Sequence, residues 1–125
     1  MNDNAKKWVA ALRSGEYKQG KGRLRQGDCF CCLGVACDLY QKDVGDLEVK
    51  SDRVGVYSYD EETGILKKKV SAYFGLKHEC PFLKGIDEEQ SLANMNDAGT
   101  DFNTIADIIE QHQDTLFVAE ICNPS

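Results

Sequence analysis

No stretch of this sequence approaches the eighteen or so consecutive apolar residues that cross a bilayer. Its first residues, Met1 to Lys7, lack the apolar core of a secretory signal, so the expected compartment is the cytoplasm, with no membrane partner. A basic excess is also missing: the net charge is −6. That balance argues against coating a phosphate backbone and makes nucleic acid an unlikely partner, while leaving room for a local basic patch. No Gly-Lys-Ser/Thr closes a phosphate loop. Nor is there a spaced pair of Cys-x-x-Cys knuckles to hold zinc.

Six cysteines are present, four of them within the nine residues Cys29 to Cys37. Disulfide scaffolds are loop-rich and short of core, whereas this chain has ample Leu, Ile, Val and aromatic residues. Reduced, buried thiols acting as small hydrophobes fit better. A zinc site would need Cys29, Cys32 and Cys37 to converge, but at about 100° per helical residue Cys31 turns well away from Cys37. We assign no metal and no cofactor. Without a neighbouring His, a nucleophilic thiolate is not assigned either, and no catalytic residue is named.

The 125 residues suffice for one core, so a single domain over 1–125 is expected, with a flexible tail from about 119. Residues 4–14 predict a first helix burying Ala5, Trp8, Val9 and Leu12, capped by Asn4 and stopped by Gly15. The most apolar run, Phe30 to Gln41, predicts a helix buried on most sides. In it Phe30, Leu33, Cys37 and Tyr40 form a stripe, and Gly34, Ala36 and Cys37 permit close neighbours. Lys42 to Ser51 reads as an exposed connection. Residues 53–59 read as a strand, turned by 60–64 onto a short return strand at Ile65-Leu66. Two further helices follow, 67–74 and 101–113, the latter burying Phe102, Ile105, Ala106 and Ile109 behind a cap at Thr100 or Asp101. Residues 96–99 read as a turn, and 115–118 as a last strand. The expected fold is α+β: about four helices around the central buried one at about 30–41, with a small β-hairpin.

Between the first two helices, Lys18, Lys21, Arg23 and Arg25 alternate with glycines, Gly22 and Gly27 among them. Glycines admit close backbone approach, and free N–H groups leading into a helix N-terminus make an anion cradle. These six residues are the first candidate site, with Arg23 and Arg25 expected on one strand face. The bland alternative is a solvated basic loop. Asn94, Asn96 and Asp97 form a second candidate polar site, whose bland reading is ordinary turn and cap chemistry. The phrase from Asp101 to Ile109 has the look of a helix-turn-helix fragment, but no basic second helix follows it.

The segments KWVAALRSGEY, FCCLGVACDLY, LKKKVSAYFGL and MNDAGTDFNTIADIIE, in this order, resemble a widespread family of small proteins encoded by tailed bacteriophages and prophages. The resemblance covers most of the chain. It implies a non-catalytic accessory protein in the host bacterial cytoplasm, binding a host bacterial protein or a small phosphorylated ligand during takeover or anti-defence. Two alternatives stand beside it. One is a small enzyme acting on a phosphorylated substrate through Asp28, Asp38, Asn96 and Asp97. The other is a homo-oligomeric interaction module exposing Tyr57, Tyr59, Phe82 or Phe117.

Overall fold

The computed structural model describes residues 1–83 and 91–119 and shows an α+β fold with two small sheets. Helix α1 runs over Asp3–Arg13, one residue earlier than its apolar stripe suggests. Asn2 rather than Asn4 caps it, accepting from the Ala5 N–H at 2.7 Å. Asn4 instead donates its side-chain amide to the Tyr73 carbonyl. The expected stripe of Ala5, Trp8, Val9 and Leu12 is buried. Trp8 also donates its indole N–H to the Cys32 carbonyl at 2.9 Å, tying α1 to the central helix.

Three two-residue strands follow: β1 (Lys18–Gln19), β2 (Arg25–Gln26) and β3 (Cys29–Phe30). Their order is β1-β3-β2, with β1 parallel and β2 antiparallel to β3. Gly27, at φ +59°, and Asp28 close the β2–β3 hairpin, glycine taking the position that demands positive φ. The central helix α2 is Cys32–Asp43. It starts two residues later than expected because Phe30 pairs in β3 and Cys31 becomes the cap, its Sγ accepting from the Gly34 N–H. All of 32–37 and Tyr40 are buried. Gly34 faces the close neighbour anticipated for it, the Leu24 backbone.

The second sheet pairs β4 (Val49–Ser51) with β5 (Tyr57–Tyr59), Lys50 opposite Ser58. This corrects the expected hairpin: the partner strand lies upstream, inside the segment read as a connection, while Leu66 donates its N–H to Glu79. A bridge between Gln26 and Val56 links the two sheets. Helices α3 (Lys68–Tyr73) and α5 (Phe102–Gln111) match expectation. Asp101 caps α5 by accepting from the Thr104 N–H at 2.7 Å. Two short helices, α4 (Leu92–Asp97) and α6 (Gln113–Leu116), add to those expected. The expected terminal strand is thus reduced to one bridge, Leu76 to Phe117. The tail expected from about 119 lies almost wholly outside the described residues. No described helix is long and apolar enough to cross a membrane.

Of the five described cysteines, Cys31, Cys32 and Cys37 are buried and Cys29 and Cys80 half-buried, all with free thiols. Burial pushes the Cys31 thiol up to about 11 and those of Cys32 and Cys37 higher. Burial likewise lifts the Tyr17 and Tyr59 hydroxyls to about 12. Each of these groups holds its proton in the native state above the pH at which the unfolded chain gives it up. Stability therefore falls as pH rises from about 9, the ordinary thiol value, through about 11 and beyond. Denaturant melts at pH 8 and pH 10.5 are expected to show the midpoint drop. At pH 8, peptide mapping after thiol alkylation is expected to find Cys29 and Cys80 modified well before Cys31, Cys32 and Cys37.

Candidate functional site

The two candidate polar regions of the sequence meet where Asn96 and Asp97 hold the loop at Gly20 and Gly22. Asn96, on the inner face of α4, is fully buried. Its Oδ1 accepts from the Gln19 side-chain amide at 2.8 Å and from the Cys32 N–H at 3.2 Å. Its Nδ2 donates to the Gly20 carbonyl at 2.7 Å and makes a longer contact to Asp97. One side chain thus joins β1, the glycine loop and the first turn of α2. Gln19 extends the network to the Thr100 carbonyl at 2.7 Å. Asp97 takes the Gly22 N–H at 2.8 Å, so the loop is held at both glycines. Gly22, at φ +79°, makes the bend that aims its N–H at this carboxylate. Asn94 is exposed, and its N–H goes to the Ser91 cap of α4. The turn reading of Asn96 and Asp97 is corrected accordingly, since both lie in a helix and hold the loop.

The expected cradle at the α2 N-terminus does not form. Cys31 gives its N–H to Leu24, Cys32 to Asn96 and Gly34 to the Cys31 sulfur. Those donors are used inside the protein. What the loop does offer is cationic side chains.

The four basic residues divide between two depressions. Paired strand positions share a face, which places Gln26 with Cys29 and Arg25 with Phe30 on the other side. Lys21 and Arg23 line a pocket of about 250 Å³ with Gly20, Gln26 and Cys29. Both are exposed, and neither forms an ion pair or side-chain hydrogen bond among the described residues. Lys18 and Arg25 line a separate cleft of about 430 Å³ with Tyr17, Asp28, Phe30, Asp38 and Lys42 among its walls. Arg23 and Arg25 therefore do not act from one face, because the chain bends between Lys21 and Leu24 before β2 begins. Gly27 serves the hairpin turn and donates its N–H to Gly55.

A family model described as a domain of unknown function (DUF8296) matches residues 1–113. The chain belongs to the DUF8296 family. No curated protein and no solved structure matches it. The span that matches DUF8296 takes in the glycine loop, α2, α4 and α5, so the whole Asn96 network lies within the family domain.

The residues proposed for an enzyme do not gather at one point. Asn96 and Asp97 are hydrogen-bonded into the loop, whereas Asp28 and Asp38 line the Phe30-side cleft. Of the aromatic residues expected at an exposed patch, Tyr59 and Phe117 are buried and Tyr57 lies under the Arg25 guanidinium. Phe82 is exposed, with the His78 ring stacked on it at 4.9 Å.

Proposed function

We propose that this DUF8296 protein is a non-catalytic binding protein that captures a small phosphorylated ligand on the loop from Gly20 to Arg23. Lys21 and Arg23 supply the charge-assisted contacts, Arg as a planar fork and Lys as a mobile point charge. The observation that carries this reading is the contrast within one short segment. The loop backbone is fastened by a fully buried amide and a carboxylate, while the two cations it presents have no protein anion to neutralise them among the described residues. A solvated loop needs no such fastening. A pre-ordered loop loses less entropy when a ligand binds. The pocket of about 250 Å³ suits a phosphoryl group with a small appendage better than a large ligand. The scatter of Asp28, Asp38, Asn96 and Asp97 supports binding without turnover.

The sequence resemblance adds the setting: a phage-encoded accessory protein in the host bacterial cytoplasm, where a phosphorylated signal of host defence or metabolism is the ligand. Calorimetric titration with inorganic phosphate and a panel of mono-, di- and cyclic nucleotides tests it. At least one compound is expected to bind, with Lys21→Ala plus Arg23→Ala weakening it by about tenfold or more. Each lost phosphate contact also flattens the salt dependence of binding. Absence of binding across the panel, or binding untouched by the double substitution, overturns the proposal.

A further inference from the structure

We propose that the cleft on the Phe30 side is a second binding site, taking a small zwitterion of the free amino-acid type, its carboxylate on Arg25 and its ammonium on Asp38. This proposal does not rest on the phosphate reading of the opposite face.

Arg25 is held as a receptor. Its guanidinium carbon lies 4.0 Å from the Tyr57 ring centroid and 4.8 Å from that of Phe30. Its Nε donates to the Gly27 carbonyl at 2.8 Å. The two ring contacts and this one bond hold the group in place, and no described carboxylate pairs with its terminal nitrogens. A fixed, unpaired guanidinium is shaped for two parallel bonds to a carboxylate.

Asp38 is fixed with equal care and opposite charge. Its Oδ2 accepts from the Tyr17 hydroxyl at 2.6 Å and pairs with the Lys42 ammonium at 3.0 Å, leaving Oδ1 without a described partner. The Tyr17 ring meets Phe30 edge-on at 5.1 Å, giving the cleft an aromatic wall. The buried Tyr59 residue places its hydroxyl close to Arg25.

Charge selects the ligand class. The lining carries three cations, Lys18, Arg25 and Lys42, against three carboxylates, Glu16, Asp28 and Asp38. A polyanion meets the carboxylates and a metal ion meets the cations, whereas a ligand bearing both signs matches both. The cleft, of about 430 Å³ and open to solvent, has room for a small molecule.

The test is a titration of the full chain with L-phenylalanine, L-leucine, L-methionine and L-valine, followed by heat and by amide NMR. Phenethylamine and N-acetylphenylalanine, and their counterparts for the other three, each remove one of the two charges. The expected result is saturable binding of at least one free amino acid, about tenfold or more tighter than either of its analogues. The amide signals of Tyr17, Asp28 and Phe30 are expected to shift with it. Arg25→Lys and Asp38→Asn should each weaken binding by about tenfold while the chain remains folded by circular dichroism. Should either variant unfold, the analogue series and the shift map on the unaltered protein decide the matter. No saturation by any of the four up to about 10 mM, equal binding of the singly charged analogues, or shifts confined to other surfaces overturns the proposal.

Discussion

Gly34→Ala is expected to lower stability by about 3 kcal/mol or more, the largest single-methyl effect among the described glycines. A Cβ at this position would fall on the Leu24 carbonyl, 2.6 Å from its carbon and 3.2 Å from the Leu24 Cα. Neither partner has room to retreat. The Leu24 N–H is bonded to the Thr63 carbonyl at 2.7 Å, its C=O accepts from Cys31, and its side chain is fully buried. Helix α2 is fixed on its other side by the Trp8 indole. Thermal melting is expected to fall by roughly 10 °C, or the variant to be insoluble. The control is Gly64→Ala, where the added methyl meets nothing within 4 Å and no positive φ is required. It should melt within about 2 °C of the unaltered protein. Equal melting of the two variants would show that the Leu24 and Gly34 backbones are not in contact.

The second large effect is expected at Asn96. Asn96→Ala strips partners from the Cys32 N–H, the Gly20 carbonyl and the Gln19 amide at once. At about 1–3 kcal/mol for a buried group left unpaired, and with water able to reach the loop side, the net loss is about 3 kcal/mol. Asn96→Asp is a sharper probe. It can still accept from Gln19 and Cys32, but it cannot donate to Gly20 and places a charge beside Asp97. Both variants should speed amide exchange at Gly20 and Gly22 beyond the global change, because the loop loses its internal fastening. If Asn96→Asp matched the unaltered protein in denaturant midpoint and in loop exchange, Asn96 would not be the fastening described.

The parts of the fold that rest on local periodicity are legible in the order of residues alone. The stripe of Ala5, Trp8, Val9 and Leu12 and that of Phe102, Ile105, Ala106 and Ile109 repeat at helical spacing, and both are buried. The segment from Cys32 to Cys37 is recognisable as surrounded because it is apolar on nearly every side. The sheets are not legible. Strands of two and three residues have no alternation to read, and the parallel pairing of Lys18 with Cys29 depends on contacts that no local pattern announces. Val49–Ser51 is exposed at every position, so it carries no buried face to mark it as the partner of Tyr57–Tyr59.

The candidate site is half legible for a related reason. Lys21 and Arg23 stand out by composition, beside glycines. The role of Asn96 does not, since its decisive partners lie 64 to 77 residues away and an Asn near a helix end looks like a cap. A single cue exists: Asn96 sits four residues after Leu92, on the side of a short helix that faces inward. The division of Arg25 from Lys21 and Arg23 is a consequence of the hairpin register, which positive charge alone cannot reveal.

The most direct test of the central claim is a two-dimensional amide NMR titration of the full chain with the tightest phosphorylated compound of the nucleotide panel. The account predicts saturable shifts at Lys21, Gly22 and Arg23, carried through the Asn96 network to Gln19 and Cys32, and abolished in Lys21→Ala plus Arg23→Ala. Shifts centred on other surfaces, or an unchanged loop at saturating ligand, would contradict it.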